Sequence, residues 1–186
     1  MQGYAGLYAG AVDAFFNAAR RRMGNVWYEA AAELNRGRAE CLQEAYQVRE
    51  VYKTADEMAE AGRGMGGVMS ASPICKKLST AQQVPKAKRP AWRARATQQT
   101  RRDTATIIKA IRKWRPTMVV IEQTSALRTH HAKAYAEMQA ALQRLPYVWR
   151  HSIVEAADLG APHKRKRLIW AAARKRGAHK ATRRAK

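Results

Sequence analysis

Acidic residues are scarce in this chain. Fourteen Asp and Glu stand against 36 Lys and Arg over 186 residues, a formal net charge of +22. A solvated surface does not need such an excess. A polyanionic partner is the simplest reason for it, and nucleic acid comes first because its phosphates attract lysine and arginine wherever they sit. Cysteine is scarcer still. Two cysteines, Cys41 and Cys75, lie too far apart in sequence to form a disulfide framework. No stretch approaches the length of a membrane span. The apolar N-terminus is interrupted by Asp13 and Asn17, and Arg20, Arg21 and Arg22 follow it rather than precede it, the reverse of a signal peptide. No long amphipathic helix with an aromatic face stands out, which makes a membrane surface the weaker partner, and there is no internal repeat. These absences point to a reducing, cytoplasmic setting.

What is present is a core. Hydrophobic residues make up 46% of the chain, enough for one domain, and short apolar runs alternate with helical stretches. Strands are expected at Tyr4–Tyr8, Val26–Glu29, Val48–Tyr52, Gly67–Ala71, Thr117–Glu122, Tyr147–Val154 and Leu168–Ala173. Helices are expected at Asp13–Met23, at Ala31–Tyr46 with Leu34, Cys41, Leu42 and Ala45 on one face, at Arg101–Trp114 with Ile107, Ile108 and Ile111 inward, and at Lys133–Leu145. Strands alternating with helices predict an α/β fold with a doubly wound, mostly parallel sheet and helices on both faces. On such sheets ligands bind at the carboxyl ends of the strands. Lys76–Arg95, with Pro85, Pro90 and little apolar content, reads as a mobile loop. The expected organisation is a domain over residues 1–173, with loop 76–95 beside its site and a basic tail over residues 174–186.

Four stretches invite chemistry. In "SASPICKKLS", Cys75 follows a strand and precedes Lys76 and Lys77, whose charge favours thiolate; a small buried hydrophobe is the commoner state of free cysteine, and Cys41 fits that description better. Glu122 closes the apolar run "VVIE", where it serves either as a functional acid or as a cap for the next helix. In "GAPHKRKRLIW", Arg165 and Arg167 enter a strand two apart and so would share a face, with Lys164 and Lys166 on the other; a solvated phosphate-binding stretch is the plainer reading. "GLYAGAVDAFF" reads as strand, small-residue turn and helix, open to a cofactor.

Taken in order, these pieces resemble the C5-cytosine DNA methyltransferase family, over about Leu7 to Ala172. The resemblance implies a Rossmann-like, S-adenosylmethionine-dependent methyltransferase sheet. "LYAGAV" is similar to the family's first motif, which implies cofactor contact by Tyr8, Ala9 and Gly10. Glu29 falls where an acid usually binds the cofactor ribose, Asp56 where an aspartate meets the adenine amine, and Pro73 in the proline–cysteine motif. Cys75 takes the nucleophile's place, Glu122 that of the acid, and Arg165 and Arg167 those of the arginines in the Gln-x-Arg-x-Arg motif. Lys76, Lys77, Ser79, Lys86, Lys88 and Arg89 would hold DNA phosphates. The chain departs from the family at Val12 for a glycine, Gly6 for a frequent acid, Ile74 for a proline, Gln123 and Thr124 for asparagine and valine, and His163 for glutamine.

The implied reaction is methylation of C5 of a flipped cytosine in DNA. The family continues into a target-recognition domain and further motifs; either a second chain supplies them, or the chain is a truncated product, or its basic tail replaces specific readout with generic DNA binding. A non-catalytic, basic DNA-binding protein on a degenerate methyltransferase scaffold is the alternative; an unrelated basic Rossmann-like protein leaves the ordered motifs to chance.

Overall fold

The structure is a computed structural model that describes residues 2–8, 14–64, 66–73, 78, 88–160 and 162–175. Ala9, Gly10, Val12, Ile74, Cys75, Lys76, Lys77, Ser79, Lys86 and the tail beyond residue 175 lie outside the described residues.

Seven strands form one sheet: β1 (Gln2–Leu7), β2 (Val26–Ala32), β3 (Glu50–Tyr52), β4 (Val68–Ala71), β5 (Met118–Thr124), β6 (Tyr147–Glu155) and β7 (Lys166–Arg174). Their order across the sheet is β3-β2-β1-β4-β5-β7-β6. The first five pair in parallel, and β7 runs antiparallel to both β5 and β6. The helices are α1 (Ala14–Met23), α2 (Arg36–Tyr46), α3 (Ala55–Ala61), α4 (Arg89–Trp114), α5 (Ala126–His130) and α6 (Ala132–Gln143).

Alternation along the strands sends side chains to two apolar layers. Tyr4 and Val68 join Phe16 of α1 and Leu42 of α2 on one face. Ala5, Leu7, Met69 and Ala71 join Met58 of α3, Ile107, Ile111 and Trp114 of α4, Leu127 of α5 and Met138 of α6 on the other. Trp114 is almost fully buried and donates its indole N–H to the Met58 carbonyl at 2.7 Å, which locks α4 to α3. The sheet is thus covered on both sides, as the alternating pattern predicts.

Between Tyr4 and Ala5 the β1–β2 register skips Glu29, so β2 carries one extra residue there. Such a bulge reverses which face each side chain meets. Tyr28 and Ala31 therefore face α1 and α2, whereas Ala30 and Ala32 face α3. On the other side of β1, Gly67 (φ +142°) precedes β4, and a Cβ there would lie 1.9 Å from the Gly3 carbonyl oxygen. Its own carbonyl accepts from Thr117 and Met118 at 2.8 and 3.0 Å. Only glycine fits where three strand starts converge this closely.

Several sequence expectations shift. Ala31 and Ala32 are strand, not helix, and α2 begins at Arg36 behind the Asn35 cap; alanine's helix propensity loses to burial in a crowded sheet. Leu34 lies before the helix and is exposed, and Cys41 is exposed rather than packed on an apolar face. α3 was not expected, although "TADE" spells the capping box that starts it: the Thr54 hydroxyl accepts from the Glu57 N–H at 3.1 Å and Glu57 accepts from Thr54. Residues 89–95, expected within a mobile loop, are the first two turns of α4. Pro90 lies in that first turn, where its missing N–H costs no hydrogen bond. Among the described residues no helix is long and apolar enough to cross a membrane.

Candidate active site

The strand order reverses between β1 and β4, and the crevice outside the carboxyl ends of such a pair is where open α/β sheets bind ligands. A cleft of about 700 Å³ opens there. Each strand on that side contributes the residues that follow it: Tyr8 after β1, Glu33 after β2, Asp56 beyond β3 and Ser72 after β4. The fourth wall is α4, through Gln99, Arg102, Asp103 and Thr106.

Tyr8 adopts the left-handed region (φ +60°), an uncommon conformation for a bulky residue and one found at functional turns. Its hydroxyl donates to Asp103 Oδ1 at 3.2 Å, and Gln99 Nε2 donates to the same oxygen at 3.0 Å. Burial and the neighbouring Asp103 charge push the Tyr8 hydroxyl far above the usual tyrosine range, so it stays a donor. Asp56 sits in the first turn of α3 and accepts from the Thr106 hydroxyl at 2.6 Å. Two carboxylates in the cleft are thus oriented by side chains of α4, Asp103 by Gln99 and Asp56 by Thr106.

Glu29 does not line this cleft. Because β2 runs on to Ala32, Glu29 sits inside the strand, where it accepts from the Trp27 indole at 2.6 Å and pairs with Arg49 at 3.3 Å. The acid at the carboxyl end of β2 is Glu33, which sequence reasoning missed because it ended the strand three residues early. Asp103 had a signal of its own: it is the only acid between Glu60 and Glu122, placed beside Arg101 and Arg102.

A second cluster lies at the carboxyl end of β5. Antiparallel pairing sets Glu122 opposite Ile169 and Thr124 opposite Arg167. Arg167 Nε lies 2.5 Å from Glu122 Oε1, an ion pair approached too obliquely to be a hydrogen bond, with both side chains about a fifth exposed. Arg167 also donates from Nη1 to the Lys166 carbonyl at 2.9 Å. Arg165 immediately precedes β7; its backbone N–H donates to Glu155 Oε1 at 2.5 Å and the residue is exposed. Gln123 is buried, donates from Nε2 to the Pro73 carbonyl at 3.3 Å, and accepts from the Thr124 N–H at 2.8 Å. Pro73 lies two residues before Cys75, so the acid's neighbour holds the approach to the cysteine. Lys88 and Arg89 are exposed at the start of α4. Exposed Arg128, His130, His163, Lys164 and Lys166 belong to the segments that leave β5 and enter β7 at this same end.

The family model of the C-5 cytosine-specific DNA methylases matches residues 8–185. A comparison with curated proteins finds no match. Among solved structures, the Dnmt2 methyltransferase of S. pombe superposes with a TM-score of 0.65 at 14% identity, over 93% of this chain and 51% of that one. The methyltransferase EhMeth of Entamoeba histolytica gives 0.64 at 13%, over 93% and 53%. A DNMT2 variant of Spodoptera frugiperda gives 0.62 at 11%, over 96% and 51%. The chain therefore spans about half the length of the solved structures it matches, and the likeness shows the Rossmann-like methyltransferase fold. With the family model running from Tyr8 almost to the last residue, the chain belongs to the C-5 cytosine-specific DNA methylase family.

Proposed function

We propose that the chain is a DNA (cytosine-5-)-methyltransferase that moves a methyl group from S-adenosylmethionine to C5 of an extruded cytosine, with Cys75 as nucleophile. The observation that carries this reading is the pairing of Glu122 with Arg167 at the strand ends, next to the Gln123–Pro73 hydrogen bond that leads to Cys75.

The cleft suits the cofactor by its donor set. Carboxylates at the ends of β2 and β3 match a ribose diol and an exocyclic amine, and the buried Tyr8–Asp103 pair supplies a polar wall. Glu33 replaces Glu29 in the ribose role. Asp56 keeps the adenine role, and Tyr8, Ala9, Gly10 and Pro73 keep theirs as backbone and ring contacts. The cofactor, when bound, supplies an electrophilic methyl group.

Cytosine C5 is a poor nucleophile until something adds at C6. The Cys75 thiolate forms that bond, and the electron pair it pushes into the ring makes C5 an enamine carbon. Glu122 offers a proton or hydrogen bond at N3 and accepts from the exocyclic amine, which relieves charge on the ring. Arg167 orients Glu122, and Arg165, held by its backbone, is left to reach O2 or a phosphate. After C5 gains its methyl, a base removes the C5 proton and the thiolate leaves. The base must be flipped from the helix, at a cost of about a few kcal/mol. Lys76, Lys77, Ser79, Lys86, Lys88 and Arg89 take the flanking phosphates. The region of the family that reads the target sequence would come from outside the described domain, in this chain or a second one.

The test is covalent trapping on duplex DNA containing 5-fluorocytosine with S-adenosylmethionine present. A denaturation-resistant adduct should form and should vanish in Cys75→Ala. DNA binding without an adduct, together with no cofactor binding by calorimetry, would favour the non-catalytic scaffold instead.

A further inference from the structure

Gln99, Asp103 and Thr106 reach the cleft from α4 at helical spacing, so they share one face of that helix. Asp103 and Thr106 are each only 7% exposed, although both are residue types that usually meet solvent. Asp103 Oδ1 accepts from the Tyr8 hydroxyl at 3.2 Å, and Gln99 fixes that carboxylate with its own bond at 3.0 Å. One turn further on, the Thr106 hydroxyl donates to Asp56 Oδ1 at 2.6 Å. Tyr8 follows β1, and Asp56 opens α3 just after β3, so a single turn of α4 holds one residue from each of two separate strand ends. That turn is itself anchored to α3, by the Trp114–Met58 hydrogen bond and by the Lys109–Glu60 ion pair. Asp56 is exposed and lines the cleft, so a buried hydroxyl on a neighbouring helix orients it. A donor on one carboxylate oxygen fixes the plane in which the remaining lone pairs can meet a ligand.

We propose that this turn of α4 gauges the bound nucleoside: Thr106 is the positioning residue for Asp56, and so for recognition of the adenine amine, while Asp103 is the positioning residue for Tyr8 and its left-handed turn. The assignment rests on the cleft as the cofactor site and on Asp56 as its adenine contact. The two residues act on different quantities. A carboxylate aimed at position 6 of a purine favours an amine, which donates, and rejects a carbonyl, which cannot. Thr106 therefore governs selectivity. The Tyr8 turn meets the ligand whatever its base, so Asp103 governs affinity.

Titration calorimetry with S-adenosylhomocysteine and S-inosylhomocysteine, which carry an amine and a carbonyl at that position, tests it. Wild type should prefer the adenine ligand by about thirtyfold. Thr106→Val, which keeps the shape and removes the hydroxyl, should cut that preference by about fivefold or more, and Thr106→Ser should restore most of it. The preference is a ratio, so a loss of stability that weakens both ligands alike does not move it. Asp103→Leu should weaken both ligands by about tenfold with the preference kept, and Asp103→Asn, which still accepts from Tyr8, should recover most of the affinity. A wild-type preference in Thr106→Val, when Asp56→Ala has lost it, overturns the proposal and leaves Asp56 in its adenine role. Equal losses in Asp103→Asn and Asp103→Leu overturn it as well, by assigning Asp103 to charge rather than position. A wild type that binds neither ligand, or binds both equally, overturns it together with the cofactor reading.

Discussion

Glu33 and Glu29 differ by four positions and by one turn of events in the chain, the bulge that lets β2 continue to Ala32. That difference decides which carboxylate lines the cleft. A hydrogen bond to a charged group contributes roughly 1.5–3 kcal/mol, so Glu33→Ala should weaken S-adenosylmethionine binding by about tenfold or more. Glu29→Ala, which breaks only the contacts with Trp27 and Arg49, should leave affinity within about twofold, the ion pair being partly exposed. Titration calorimetry on both variants checks this, and equal losses would return the ribose role to Glu29. The residues that the structure brings to the cleft and to the end of β5 were named in sequence for different reasons: Glu122 because it follows four apolar residues, Arg167 because it enters a strand, and Asp56 only through the family resemblance, since the capping box that places it went unread. Asp103 was not, because its meaning comes from Tyr8, 95 residues away. Gln123 looked like a mere departure from the family; its burial against Pro73 shows what a longer amide does in that place.

Among the elements, all seven strands could be read from apolar runs, with β5 within two residues at its ends, and their alternation with helices gave the layering. The errors cluster where small residues carry the signal. Ala31 and Ala32 read as helix by propensity, yet they are strand because small side chains fit the crowded layers on the two faces of β2. The first turns of α4 are basic and apolar-poor, so periodicity is silent there, and their helical state depends on Trp92 and Ala96 packing inward. Gly67 is the sharpest constraint of this kind. Gly67→Ala would drive a methyl group into the Gly3 carbonyl and demand a backbone conformation that side chains resist. It should cost about 3 kcal/mol or more, by the strain and clash terms together. The urea midpoint should fall accordingly or the protein should fail to fold; a midpoint within error of wild type would show that β1 and β4 can separate at their starts.

The whole molecule is governed by its charge. A net +22 on 186 residues leads us to expect polyanion binding that depends little on sequence, and exposed cations lie near the carboxyl end of β5. If about six phosphates are neutralised, DNA affinity should fall by about 10³-fold between 50 and 200 mM salt, whatever the sequence. Fluorescence anisotropy on unrelated duplexes checks this; an affinity insensitive to salt would mean that contacts other than phosphates dominate.

The same sheet pairs strands that lie far apart along the chain. β1 finds β2 soon after the chain turns back, but its other neighbour is β4, and the Tyr4–Ser70 hydroxyl contact that joins them spans 66 residues. A chain growing from the ribosome therefore carries a half-covered first strand until Ala71 has emerged. It then waits again, because β5 is closed off only by β7, which the chain reaches after first making β6. Such distant pairings make folding slow for a domain of this size, and during that wait the nascent protein, with its surplus of positive charge, is exposed to the nucleic acid of the machine that makes it.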